Sequence, residues 1–168
     1  REQPINPLDV GWELPDTIPP LLRRIKWYPL TKESRVNGWC SADVARLTQV
    51  GSTTFASVDT MEVEGSVGLA VDVIDRLSTS SGKLAPYRVE LSIDGRLVTA
   101  LELKRFSYDN TREVELAYDM GTARTLGRHD LFLFKREGET LWNREFVGDG
   151  IIYGDSLAAT GRVHQAVV

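Results

Sequence analysis

Three side chains in this sequence belong to the types that most often bind metals or activate nucleophiles: Cys40, His129 and His164. A zinc site draws on three or four His, Cys or carboxylate ligands, commonly at short sequence spacings. These three are spread over more than a hundred positions, and no clustered-histidine helix of the metallopeptidase type occurs. Cys40 follows Trp39 in a polar stretch with no base beside it, which reads as a buried or idle thiol. A Gly-x-Ser-x-Gly elbow and a Gly-x-x-x-x-Gly-Lys phosphate loop are both absent. Gly65-Ser66-Val67-Gly68 precedes a strand rather than opening a helix, so it is no phosphate cradle. Asp72 and Asp75, with Ser78 and Gly82 after them, supply oxygen ligands but not at calcium-loop spacing. They are expected to cap turns by accepting nearby backbone donors. No catalytic residue, metal or cofactor is expected.

Residue types suited to binding by contact are better represented. Four tryptophans, Trp12, Trp27, Trp39 and Trp142, supply large surfaces that serve either as core or as interface anchors. Trp12 and Trp39 lie in polar, loop-like surroundings. Five of the seven prolines fall within residues 1–20, at Pro4, Pro7, Pro15, Pro19 and Pro20. Proline fixes φ and removes a backbone donor, so this stretch is expected to be extended and largely unpaired. Apolar residues are interleaved with the prolines, which suits an arm that packs on its own domain or on a neighbour. The candidate interaction residues are Ile5, Leu8, Trp12, Leu14, Ile18, Trp39 and Trp142. Arg23, Arg24 and Lys26 form the one basic cluster, and alternation predicts a solvated strand face.

The elements that must carry these residues follow from periodicity. Tyr87, Val89, Leu91 and Ile93 alternate with Arg88, Glu90 and Ser92, the pattern of a half-buried strand. Asp94-Gly95 follows, suited to a type I′ turn, and Leu97, Leu101 and Leu103 continue on one face, so 87–103 reads as a β-hairpin. Residues 21–30 and 67–74 read as strands; in the first, Leu21, Ile25 and Trp27 face one way and Arg24 and Lys26 the other. Leu131-Phe132-Leu133-Phe134 is apolar on both faces, as in a central strand. Residues 112–118 alternate weakly and open into a short helix over 119–125, while 145–153 and 162–168 read as short strands.

The chain has 168 residues, 42% of them hydrophobic and 26% charged, with a net charge of −4. That length suits one domain with an arm, and it buries enough surface to fold without disulfides. The acidic balance argues against nucleic acid as partner. No apolar run approaches 18 residues, so no transmembrane segment is expected. The expected architecture is all-β: an antiparallel β-sandwich (Ig-like) over 21–168, an extended Pro-rich arm over 1–20 and one short helix.

Pro86 to Met120, PYRVELSIDGRLVTALELKRFSYDNTREVELAYDM, resembles the non-catalytic domain that follows the catalytic domain in bacterial LytM-type (lysostaphin-like) zinc metallopeptidases. The likeness rests on Tyr87 with Glu90-Leu91, the Asp94-Gly95 hairpin, and Phe106-Ser107-Tyr108-Asp109 with Thr111-Arg112-Glu113-Val114. Ser34-Arg35-Val36-Asn37-Gly38, Gly65 to Ala70, Asp72 with Asp75-Arg76-Leu77, and Asn6-Pro7-Leu8 with Asp16 to Pro20 extend it upstream. The resemblance implies export to the periplasm or cell envelope, any signal peptide having been removed before Arg1. It implies binding or positioning rather than cleavage, because the zinc ligands of the family map to none of these residues. The expected function is a non-enzymatic structural subunit. It would stabilise protein subunits of an envelope or membrane complex, such as a photosynthetic or secretion assembly. The alternative is the accessory or targeting domain of a peptidoglycan-cleaving metallopeptidase. A carbohydrate-binding module would instead need an exposed aromatic platform, for which Trp12, Trp39 and Trp142 are the candidates.

Overall fold

Alternating apolar and polar residues dictate strands through most of the chain, and strands dominate the computed structural model. It describes residues 10–11, 16–78, 82–103, 114–139 and 144–168. In chain order the strands are β1 (Leu21–Pro29), β2 (Arg35–Val36), β3 (Asp43–Ala45), β4 (Leu47–Gln49), β5 (Phe55–Ser57), β6 (Val63–Glu64), β7 (Ser66–Ile74), β8 (Arg88–Ile93) and β9 (Arg96–Leu103). Two short helices follow, α1 (Val114–Ala117) and α2 (Met120–Leu126). Then come β10 (Leu131–Phe132), β11 (Arg144–Val147), β12 (Ile152–Tyr153), α3 (Gly154–Ala158) and β13 (Ala166–Val167). The protein is all-β with antiparallel sheets and few helices.

Two sheets carry the core. The first has order β10-β7-β1-β3, with β12 pairing to β7 on the β10 side. The second has order β11-β9-β8-β13. Inward residues of both meet in one buried cluster: Val67, Leu69 and Val71 from β7, Val89 and Leu91 from β8, Leu101 from β9, with Leu133 and Ile152. Two small hairpin-like sheets, β2-β6 and β4-β5, stand beside the first sheet.

β7 is buried on both faces along most of its length, which its small alternate residues permit. On its second face, Gly68 and Ala70 lie under Phe134, Phe132 and Tyr28. A Cβ at Gly68 would stand 2.3 Å from Phe134 Cδ1, so only glycine fits there. Phe132 and Phe134 are buried as expected, but β10 is short and lies beside β7 at the margin of the sheet rather than centrally.

The Asp94-Gly95 hairpin forms as expected, both residues at positive φ (49° and 76°). Strict alternation fails at two points, both β-bulges. In the β8–β9 ladder Leu91 pairs with Thr99 but Ser92 pairs with Leu97, so Val98 is the extra residue. Leu97 is thereby turned onto the outer face with Ser92 and is exposed, while Leu101 is buried. In β1, Leu22 pairs with Val73 and Arg24 with Asp72, leaving Arg23 as the extra residue. Leu21 consequently leaves the core face, and Leu22 takes that place.

The alternation read over 112–118 is also overridden, since Val114–Ala117 is helical. Asp119 explains the helix that follows: its side chain accepts the Thr122 N–H as an N-cap, and Gly127 closes α2 in the left-handed region.

Candidate functional site

Trp39 stands on a turn built to hold it out. β2 ends in Asn37-Gly38, both at positive φ (52° and 78°), and the chain folds back so that Val36 and Trp39 exchange N–H···O bonds of 2.9 and 3.0 Å. Asn37 pins the turn from three sides. Its N–H donates to Glu62 O at 2.8 Å, its Oδ1 accepts from Glu62 N at 2.9 Å, and its Nδ2 donates to Asp43 Oδ2 at 2.8 Å. Val36 is fully buried, anchoring the turn in the main core. Trp39 is nevertheless 71% exposed. A fixed backbone with an uncovered Trp presents a flat apolar face and one N–H donor at little entropic cost to a partner. Cys40, the next residue, is exposed rather than buried, and its thiol is free.

Ile18 is also exposed (42%). Its neighbour Thr17 is tied to the segment that follows β7, its N–H donating to Ser78 Oγ at 2.9 Å, and locally Asp16 Oδ1 accepts from Ile18 N at 3.0 Å. Ile18 precedes the start of β1, whereas the Trp39 turn pairs with β6, just before β7 begins. β1 and β7 run antiparallel over nine residues, about 27 Å, so the two residues sit toward opposite ends of that ladder. Ile5, Leu8, Trp12, Leu14 and Trp142 lie outside the described residues. The Phe106–Thr111 motif, with Arg112 and Glu113, does so too.

The basic cluster is only in part a solvated face: Arg23 is exposed, but Arg24 is buried and Lys26 half-buried, and each of the three meets a carboxylate. Arg23 Nη2 donates to Asp72 Oδ1 at 2.5 Å. Arg24 grips Asp130, with Nη2 at 2.7 and 2.5 Å from the two carboxylate oxygens. Lys26 Nζ donates to Asp119 Oδ2 at 2.7 Å and to Thr122 Oγ1 at 3.0 Å. The Tyr28 hydroxyl donates to the same Asp119 oxygen at 2.6 Å. The partner acids arrive from over 40 to over 100 residues away, which is why alternation alone missed them.

Burial pushes the Asp119 carboxyl up, but the hydrogen bonds from Lys26, Thr122 and Tyr28 outweigh it and hold the group well below the usual carboxylate range. Burial, with the hydrogen bond to Asp119 behind it, pushes the Tyr28 phenol far above its usual value. Neither group is poised to exchange a proton near neutrality. The cluster clamps α2 and the 130–134 segment onto the sheet.

Asp72 is a mid-strand acid paired to Arg23, not the turn cap expected from sequence. Asp75 pairs through its backbone with Leu84. His164 joins Asp94 (Nδ1 to Oδ2, 2.6 Å) and Thr160 (Nε2 to Oγ1, 2.6 Å). The order Asp-His-hydroxyl invites comparison with a nucleophile relay. However, the Thr160 hydroxyl also donates to Leu157 O at 2.7 Å, and the N–H groups of Thr160 and Gly161 are spent on Leu157 O and Ala158 O. No backbone donor beside Thr160 is left to face an oxyanion. Arg162 Nη2 and Gln165 N also bind Asp94, so the set fastens the last strand to the β8–β9 turn. His129 is exposed and meets the Tyr118 ring edge-on. Among the described residues, no three His, Cys, Asp or Glu side chains are placed to hold a metal ion. Nor is any helix among them long and apolar enough to cross a membrane.

The chain matches no protein-family model, no characterised protein and no solved structure.

Proposed function

We propose that this chain is a non-enzymatic binding module of the bacterial cell envelope that works by holding a protein partner. The observation that carries the reading is Trp39, a tryptophan left uncovered on a turn that Asn37 pins in place. Large exposed aromatics on rigid backbone are the usual anchors of protein interfaces. The resemblance of Pro86–Met120 to the domain that accompanies LytM-type peptidases supports an exported, periplasmic setting. The shared core of the two sheets supports an Ig-like β-sandwich as the body of the module. The exposed Val10 and Ile18 support an N-terminal arm, residues 1–20, that docks on a neighbour. In this reading the partners are protein subunits of a membrane complex, a photosynthetic or secretion assembly among them, and the arm and the Trp39 turn make two separate contacts.

A second reading is favoured by the same exposed indole. An aromatic platform also stacks on sugar rings, so the module would serve as the targeting domain of a peptidoglycan-cleaving zinc peptidase. Native purification from the envelope fraction of the source cells separates the two. The first reading expects a defined protein to co-elute stoichiometrically, and to be lost with Trp39→Ala while the variant's melting temperature is unchanged. Retention on purified cell-wall sacculi that depends on Trp39 supports the second instead. A chain that elutes alone and ignores sacculi overturns both.

A further inference from the structure

The β4–β5 ribbon is exposed where its composition calls for cover. Leu47–Val58 is the longest stretch of the chain without Asp, Glu, Lys or Arg, twelve residues in a chain that is 26% charged. Another charge-free run, residues 65–71, lies mostly in the buried part of β7. In the ribbon every residue is exposed except Leu47 and Phe55, which are half-buried. The charges at its base are spent on each other, Arg46 gripping Asp59 through two guanidinium nitrogens. A two-stranded ribbon is marginally stable alone and gains from further strands. Among the described residues β5 pairs with β4 and with no other strand. The hydrogen bonds fix which main-chain groups are left over. Val58 N donates to Arg46 O at 3.1 Å and Val50 N to Thr54 O at 2.9 Å, so Thr54 and Val58 turn theirs to β4. Main-chain groups alternate sides along a strand, so Phe55 and Ser57 turn theirs away from it. Phe55–Ser57 carries no proline, charge or bulge, the usual devices that blunt such an edge.

We infer that this edge of β5 pairs antiparallel with the same edge of a second copy of the chain, about a twofold axis at Ala56. Charge argues for a second copy. Each chain carries a net charge of −4, so two copies approach best where neither presents a charge, and this run is the longest such place. The register follows from the outward-facing groups. Side chains directly opposite each other share a face, so an antiparallel self-pairing centres on a residue and not between two. Centring on Ser57 sets Phe55 opposite Asp59, whose N–H already donates to Ser57 Oγ at 3.1 Å and whose carboxylate holds Arg46. Centring on Phe55 sets Ser57 opposite Thr53, which lies in the bend at the ribbon's tip. Centring on Ala56 sets Phe55 opposite Ser57 of the other copy, and the reverse, so both outward-facing residues of each strand are paired. The two Ala56 then meet in the close, non-hydrogen-bonded position, where a small side chain fits best. Thr48 lies opposite Ala56 within each ribbon, so both residues share one face of the four-stranded ribbon β4-β5-β5-β4 that results. The contact closes on itself, as a twofold contact does, rather than growing a fibre. The inference does not depend on the reading of Trp39.

Sedimentation equilibrium of the purified chain tests it, with engineered cysteines carried in a Cys40→Ser background. The expected result is a reversible monomer–dimer equilibrium. Ala56→Glu sets like charges directly opposite each other at the axis and weakens it about fivefold. Thr48→Glu puts the same charge on the same face one strand further in, where the two copies' charges are screened, and changes it by less than about twofold. A twofold axis at Ala56 brings the two Ala56 Cα atoms to about 4.5 Å, inside disulfide range, so Ala56→Cys cross-links two chains under mild oxidation. Thr48→Cys does not, because the two copies of residue 48 stand about 15 Å apart. A chain that stays monomeric at millimolar concentration overturns the inference. So does a dimer that Ala56→Glu weakens no more than Thr48→Glu does, or cross-linking of Thr48→Cys as fast as Ala56→Cys. Ala56 is exposed, and unchanged melting temperatures of the variants show that a lost dimer is not a lost fold. If Ala56→Glu lowers the melting temperature, the two cysteine variants decide alone.

Discussion

Arg24 and Asp130 form a two-pronged ion pair in which the acid is fully buried and the guanidinium nearly so, although 106 residues separate them. Nη2 reaches both carboxylate oxygens and Nε reaches one, so every charged oxygen has a donor. The pair rivets the segment after α2 to the middle of β1.

Removing one partner of such a pair leaves the other charge buried and uncompensated. Asp130→Ala is therefore expected to cost about 3–5 kcal/mol in urea unfolding. Replacing both residues by apolar ones, Arg24→Met with Asp130→Leu, is expected to cost less than either single change. A double-mutant cycle with purely additive losses would show that the two side chains do not act as a unit.

Asp119 imposes an acid limb on stability. Its folded carboxyl is held below the ordinary value of about 3.9, so it contributes stability in full above that pH. The contribution is lost as pH falls from about 5 toward the folded value. Asp119→Asn is expected to be less stable than the wild type at pH 7, with the gap narrowing on acidification. Melting temperatures taken from pH 7 to pH 3 read this directly. Tyr28→Phe, which removes one of the three side-chain donors to Asp119, should give a smaller gap of the same shape.

Gly68 answers to packing. Gly68→Ala drives a methyl into the Phe134 ring, and such overpacking typically costs about 1–3 kcal/mol. Calorimetry should show that Phe134→Leu recovers part of the loss in the double variant, since it withdraws the ring atoms at 2.3–2.7 Å.

The Asp94 fastening is exposed, so its effect is local. The backbone hydrogen bond from Gln165 and the one from His164 lower the Asp94 carboxyl. That contribution is present above the ordinary Asp range and fades below it. Asp94→Asn or His164→Ala is expected to speed amide hydrogen exchange in Ser92, Ile93 and residues 164–167, leaving β7 and β1 unchanged. Uniform acceleration across the chain would mean the fastening holds the whole fold.

How far the sequence could be read depended on the range of the interaction. The strands at 21–29, 66–74 and 88–103, the Asp94-Gly95 turn and the helix after Asp119 were legible, because each follows from neighbouring residues. Trp39 was legible as a candidate from its residue type and polar surroundings, and its exposure follows from the Asn37-Gly38 turn. The destinations of Arg23, Arg24 and Lys26 were not. A basic residue on an alternating strand looks the same whether it faces water or a carboxylate brought from a distant segment.

The sequence by itself determined that this is an antiparallel, strand-built chain with its hairpin at 94–95, since alternation and turn propensity act over a few residues. Only the tertiary structure decided which residues face inward beyond each bulge, sending Leu97 and Leu21 outward and Leu22 inward. It also decided that Arg24 is buried and Lys26 half-buried on β1, in ion pairs with Asp130 and Asp119. Side-chain period two is broken by a single inserted residue, and long-range pairing is settled by which segments reach each other, so neither leaves a local trace.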